Sequence, residues 1–284
     1  MSHSKNKPFA KRSLGQNFLV DETVVGNIVS ELQLNVGDTL IEIGPGRGAL
    51  TEKLVATGAK VIAIEIDRNF VPSLRAQFHF DRNFSVIEAD VLNVGITEIV
   101  TDSDRGSVKL VGNLPYNIST AILERAALER NIFSRAVFMF QREVVDRISA
   151  KPGMSERGYF TVLVESSFEV TRLFDVAPEA FSPRPKVWSS VVKLSPKPPS
   201  AADEPAFRKL VSAAFAQKRK TILNNLKSVV IDAETTLKEA AIDPRRRAET
   251  LTLDEWLALY LASQEKRPDS LEPPDRLIKR PKRL

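Results

Sequence analysis

The 284-residue chain has no cysteine and only two histidines. Disulfides, thiol nucleophiles and thiolate metal sites are therefore excluded, and too few ligands remain for a zinc site to be expected. Long apolar runs are missing as well. None approaches the roughly 18 residues that a membrane helix needs, and no apolar stretch follows the positive charges of residues 1–13 as a secretion signal would require. A cytoplasmic protein without membrane contact is expected. Hydrophobic residues at 43% and charged residues at 27% are ordinary soluble values, so the chain should fold by itself.

The net charge of +5 is unevenly spread. Lys5, Lys7, Lys11 and Arg12 give the first 13 residues +4, and residues 265–284 carry +3, which leaves the middle at about −2. Global basicity is thus weak support for a polyanionic partner, and local clusters must carry that argument.

From residue 21 to about 140, short apolar runs alternate with amphipathic stretches, the pattern of a parallel sheet with crossover helices. Buried strands are expected at 39–43, 60–64, 84–87, 108–111 and 136–140, with helices near 49–57, 69–78 and 120–130. Asp21 is the expected cap of a preceding helix that ends at Asn35 and Gly37. Beyond residue 142, helices near 142–150 and 158–166 precede β-rich runs at 168–176 and 187–194, which could extend the sheet as an antiparallel hairpin. Ser195-Pro196-Lys197-Pro198-Pro199-Ser200 reads as a linker, because closely spaced prolines continue neither strand nor helix. Helices only are expected after it, at 205–217, 219–230, 234–241 and 253–262, the last capped at Thr252. The expected organisation is a basic segment 1–20, an α/β domain 21–197, a helical domain 198–264 and a disordered basic tail 265–284.

Glu42-Ile43-Gly44-Pro45-Gly46-Arg47-Gly48 stands between the first strand and its helix, where glycines let backbone approach a ligand. Its G-x-G-x-G spacing departs from the dinucleotide fingerprint G-x-G-x-x-G, which makes an NAD-dependent oxidoreductase a poorer match. Glu65, at the end of the second strand, is placed to accept hydrogen bonds from two ribose hydroxyls, and Asp90, at the end of the third, from an adenine amine. The fourth strand ends in Gly112-Asn113-Leu114-Pro115-Tyr116, followed by Asn117 and the expected cap Ser119. An amide oxygen, a backbone carbonyl and an aromatic face can together hold a flat base with an exocyclic amine. Such an amine is a poor nucleophile, because its lone pair is delocalised into the ring. Two acceptors on its protons favour a tetrahedral nitrogen and aim the lone pair at an electrophile. No strong base is needed, since the nitrogen becomes acidic as it bonds to carbon.

With Gly15-Gln16-Asn17-Phe18-Leu19 and Phe181-Ser182-Pro183-Arg184-Pro185-Lys186-Val187, these motifs resemble the ribosomal RNA adenine dimethyltransferases, and most nearly their bacterial small-subunit (16S) branch. The likeness spans residues 11 to about 263. It implies an α/β, Rossmann-like methyltransferase sheet with a small C-terminal all-helical domain, and S-adenosylmethionine as cofactor. Under it, Asn17, Leu19, Gly44, Gly46, Glu65, Asp90 and Asn113 hold the cofactor. Asn113 and the Leu114 carbonyl position the target amine, and Tyr116 and Phe181 stack on the flipped base. The implied substrate is a pair of adjacent adenosines in the 3'-terminal hairpin loop of small-subunit rRNA, met within a preribosomal 30S particle by a monomeric enzyme. Arg184 and Lys186, Lys218-Arg219-Lys220 and Arg245-Arg246-Arg247 are candidate phosphate contacts. Two alternatives remain at this stage: a large-subunit (23S) adenine dimethyltransferase conferring antibiotic resistance, and a non-catalytic RNA-binding assembly factor.

Overall fold

The computed structural model describes residues 16–115 and 118–265. The basic segment before Gln16, Tyr116 and the tail from residue 266 lie outside the described residues. One sheet is built from β2 (Thr39–Ile43), β3 (Lys60–Glu65), β4 (Phe84–Glu88), β5 (Val108–Asn113), β6 (Phe133–Gln141), β7 (Phe168–Val176) and β9 (Ser189–Pro196). Their order across it is β4-β3-β2-β5-β6-β9-β7. The first five pair in parallel, through α2 (Ala49–Ala56), α3 (Val71–Gln77) and α5 (Ser119–Leu128) among their crossovers.

Pleating divides the side chains between two cores. Ile41, Ile43, Ile62, Ile64 and Leu110 enter one cluster, while Leu40, Val61, Val111 and Val137 enter the other. Helices covering both faces explain why β2 is buried along its whole length, Thr39 and Glu42 included. The edge strand β4 differs from expectation: its residues are half-buried or exposed, because one side has no neighbouring strand.

The two late strands extend the sheet antiparallel, with β9 inserted between β6 and β7. Ser195 and Pro196, expected in a linker, instead complete β9 opposite Glu169 and Phe168. The β6 ladder has already ended at Leu194, so the proline nitrogen breaks no ladder on that side. Lys197 then stays tied to this body: its N–H donates to the Ser167 carbonyl at 2.9 Å, and its own carbonyl accepts from Arg130 Nε at 3.0 Å. The chain divides into compact units after Asp203.

Asp21 caps α1 (Glu22–Leu32), accepting from the Thr23 and Val24 amides. The helix stops before Asn35, because Gln33 turns left-handed at φ 50° and its carbonyl accepts from Lys109 Nζ at 3.2 Å. A second, two-stranded sheet joins β1 (Phe18–Leu19) to β8 (Phe181–Ser182), bringing the early and late motifs side by side.

The second unit contains α8 (Pro205–Ala214), α9 (Ile222–Leu226), α10 (Ala233–Glu239) and α11 (Leu253–Glu265). Phe207, Leu226, Leu237 and Trp256 are buried in it. The expected helix 219–230 shrinks to α9: Thr221 caps its start, and the β-branched run after Ser228 leaves Val229 and Ile231 exposed rather than presenting a packed face. Thr252 and Glu255 form the expected cap of α11, each side chain accepting from the other's amide. No helix among the described residues is long and apolar enough to cross a membrane.

Candidate active site

After β2 the chain builds outward through β3 and β4, then returns to place β5 on the other side of β2. Ligands of open α/β sheets bind where the order reverses in this way, at the carboxyl ends of the strands. A pocket lies there. Gly44, Glu65, Asp90 and Asn113 line it from four successive strand ends, and Gln16 to Leu19 close it from the side.

The glycine loop fits this place because of two positions. Gly46 has φ 55° and donates its N–H to Glu65 Oε2 at 2.9 Å; a Cβ there would stand 3.0 Å from the Phe18 ring. Gly48 has φ 83°, and a Cβ on it would press within 3.4 Å of Leu74 and Phe78. The first opens the loop toward the pocket, and the second lets α2 pack closely.

Glu65 is held from both oxygens, since Oε1 accepts the Asp67 amide at 2.8 Å. Burial raises its pKa, and the two backbone donors oppose that rise by favouring the carboxylate. Its remaining lone pairs suit a diol. Asp90 is half-buried, with Oδ1 accepting the Leu92 amide at 2.9 Å.

Asn113, at the end of β5, donates Nδ2 to the Asn17 carbonyl at 3.0 Å. This bond fixes which way the amide points, leaving Oδ1 as the acceptor facing away from the β1 segment. Leu114 follows with its side chain buried and its N–H on the Met139 carbonyl at 3.2 Å, so its peptide is anchored to β6. Ser119 is the first residue of α5 rather than its cap, a place taken by Ile118. Phe181 lies opposite Leu19 in the β1–β8 ladder and is 4% exposed. Its ring belongs to the core, so no open face is presented to a base.

Sequence reasoning missed several supports. Gln16 Nε2 reaches Asp67 Oδ2 at 3.4 Å, and the Arg47 guanidinium lies 4.3 Å from the centre of the Phe18 ring, itself edge-on to Phe70. Asp67 stands two residues after Glu65, which was the one available signal. Glu42, fully buried, accepts from Thr51 Oγ1 at 2.7 Å; burial, joined by the Glu65 charge, pushes its pKa up to about 8.

The basic clusters divide. Lys218, Arg219 and Lys220 are exposed in the turn after α8. Arg184 is exposed and paired with Glu179, and Lys186 is exposed nearby. Arg245 folds onto Asp243, whose carboxyl it holds down to about 2. Arg246 departs from expectation. It reaches Glu255 Oε2 at 3.1 Å, the Thr250 carbonyl at 2.7 Å and Thr250 Oγ1 at 3.1 Å, so its donors are spent inside the helical unit. Arg247 makes one long contact, 3.9 Å, to Glu249.

Residues 8–265 match the model of the family described as ribosomal RNA adenine dimethylase. The chain belongs to that family. It is 42% identical over 254 residues to the ribosomal RNA small subunit methyltransferase A of Hahella chejuensis, covering 88% of this chain and 91% of that one. The protein of the same description from Geobacter metallireducens is 40% identical over 261 residues, with 89% and 95% covered. Among solved structures, a dimethyladenosine transferase from Plasmodium falciparum aligns with a TM-score of 0.75 and 27% identity over 87% of this chain and 98% of that chain. The 23S rRNA methyltransferase ErmE shares the fold, at a TM-score of 0.70 and 24% identity over 87% and 100%. The dimethylase family therefore accounts for the methyltransferase sheet and for the pocket at its switch point.

Proposed function

We propose that this protein transfers methyl groups from S-adenosylmethionine to the exocyclic amines of two adjacent adenosines in the 3'-terminal hairpin loop of small-subunit rRNA, acting as a cytoplasmic monomer on a preribosomal 30S particle. The observation that carries the reading is the Asn113 amide, which lines the pocket and donates its Nδ2 to the Asn17 carbonyl, so that its oxygen is left to accept. The names of the relatives near 40% identity favour the small subunit over the large.

The pocket fits the cofactor by its donor and acceptor set. Glu65 offers a buried carboxylate to ribose hydroxyls, Asp90 an acceptor to the adenine amine, and Gly44 and Gly46 let backbone pass close. Asn17 and Leu19 line the methionine end. When bound, the cofactor supplies an electrophilic methyl on a positively charged sulfur.

The chain's own residues do the rest. Asn113 Oδ1 and the Leu114 carbonyl accept from the target amine, which draws its lone pair out of conjugation and aims it into the pocket. With the cofactor held by Glu65, Asp90 and the glycine loop, the methyl it supplies would pass to the amine aimed by Asn113 and Leu114, and the amine proton would leave late, to water. Tyr116 supplies the stacking face. Phe181 is buried in the core that includes Phe18 and Leu19, and takes part as a wall of the site rather than as an open face. Loop adenosines are already poorly stacked, so flipping them costs least.

Labelled S-adenosylmethionine, offered in parallel to undermethylated 30S subunits and to large-subunit rRNA, tests this, followed by nucleoside analysis. Dimethyladenosine in the 3'-terminal hairpin is the expected product. Labelling confined to large-subunit RNA, or cofactor binding without transfer to either, would overturn the reading.

A further inference from the structure

The chain has two tryptophans. Trp256 is entirely buried in the helical unit, whereas Trp188 is 47% exposed, next to Val187 at 43%. Trp188 stands at the carboxyl edge of the sheet, the edge that holds the pocket. Its carbonyl accepts the Arg142 amide at 3.0 Å where α6 (Arg142–Ile148) begins, and the next residue, Ser189, pairs with Gln141 of β6. Pro185, buried, further fixes the segment. The indole is thus an exposed apolar face on rigid backbone.

Its distance from the chemistry follows from the register. Asn113 pairs with Met139 on β6, and β9 is the strand beyond β6. Two strand spacings across and about three residues along put the backbone of Trp188 on the order of 14 Å from Asn113. That is within reach of nucleotides flanking a base held at Asn113, and too far to touch the base itself.

The charges around it are nearly balanced. Arg172 binds both Asp146 and Asp175, Arg184 binds Glu179, and Glu143 stands at the start of α6. Arg142 makes only long contacts, 3.9 Å to Asp146 and 3.8 Å to Asp175, and Lys186 is exposed. A surface so balanced attracts phosphate weakly, so an occupant must gain from the aromatic face. Resting on the RNA-methylating function above, we propose that Trp188 is a stacking platform for an unpaired nucleotide beside the target adenosines, contributing to RNA capture through the ring and not through charge.

Trp188→Ala and Trp188→Phe, with a synthetic 3'-terminal hairpin RNA and with undermethylated 30S subunits, test it. The alanine variant is expected to raise KM for RNA about 10-fold, with the rate at saturating RNA and the cofactor affinity unchanged. The phenylalanine variant should recover most of the loss. The dependence of binding on salt should keep its slope in both, whereas Lys186→Ala should reduce it by about one. RNA should also quench a wild-type tryptophan signal that Trp188→Phe lacks. An unchanged KM in Trp188→Ala, or a loss that Phe does not recover, would overturn the proposal. So would a loss seen on subunits but not on the hairpin, which would assign the face to a ribosomal protein. Failure of the wild type to methylate either RNA would instead remove the function on which it rests.

Discussion

The pocket and the basic clusters are built on opposite principles. In the pocket, the groups at the strand ends are fixed by backbone: Glu65 by the amides of Gly46 and Asp67, Asn113 by the Asn17 carbonyl, and Leu114 by Met139. In the clusters, long side chains point into solvent or fold onto nearby acids, as Arg245 does on Asp243 and Arg184 on Glu179. A small ligand with defined hydroxyls and amines rewards fixed geometry, because the site reorganises little on binding. A polyanion rewards numbers of charges near its backbone and tolerates loose placement. Substitutions should therefore act steeply and singly in the first region, and shallowly and additively in the second.

The largest effect is expected at Asn113. Asn113→Ala removes the oriented acceptor and should lower kcat by at least about 100-fold, the scale for deleting one preorganised group, while RNA affinity stays within a few-fold of wild type. Single-turnover transfer alongside filter binding separates the two. A comparable fall in RNA affinity would mean that Asn113 grips the substrate rather than orienting its amine. Next comes Glu65→Ala, which deletes a buried acceptor and strands the Gly46 and Asp67 amides. Cofactor affinity, followed by calorimetry, should fall by about 10- to 100-fold. A change under twofold would break the contrast, because it would show a fixed pocket group behaving like a surface charge.

The regions also differ in how far the sequence exposes them. Strand ends and carboxylates of the parallel half are legible, since Glu65 and Asp90 follow short apolar runs in chain order and the glycine loop marks the first turn. Pairing between distant segments leaves no periodic trace. The β1–β8 ladder involves two residues on each side, and it decides both the Asn17 carbonyl that orients Asn113 and the burial of Phe181. The same blindness affects the linker, where proline composition outweighs a pairing of Pro196 with Phe168 that only the folded sheet reveals. Arg246 looks like its neighbours as a letter in a basic run. Its commitment to Thr250 and Glu255 depends on how the chain turns into α11.

Glu42 sharpens the comparison from inside the pocket, because it is fixed by Thr51 and forms no ion pair among the described residues. Its carboxyl titrates near 8 in the folded protein and near 4.3 when unfolded, so the folded state binds the extra proton between those values. The stability conferred by that proton is complete below about pH 4, declines as pH rises through the interval, and is gone above 8. Glu42→Gln still accepts from Thr51 but never ionises. Thermal unfolding across pH should show the variant matching wild type near pH 4 and exceeding it near pH 8 by on the order of 1–3 kcal/mol. Parallel pH profiles for the two proteins would mean that Glu42 has a counter-charge or water access in solution.

The smallest single effects belong to the clusters, and there the two kinds of arginine can be set against each other. Changing Lys218, Arg219 and Lys220 together to Gln should weaken RNA binding moderately at low salt and reduce the slope of log affinity against log salt by up to about three, one for each phosphate that is no longer neutralised. Unfolding temperature should move little, because all three residues are exposed. Arg246→Ala should do the reverse, leaving the slope unchanged and lowering the stability of the helical unit by about 1–3 kcal/mol as Glu255 is deprived of its guanidinium partner. If Arg246→Ala instead altered the salt slope while the melting temperature held, its ion pair with Glu255 would be one that RNA displaces. The division between structural and RNA-facing charge would then have to be drawn by binding rather than by burial.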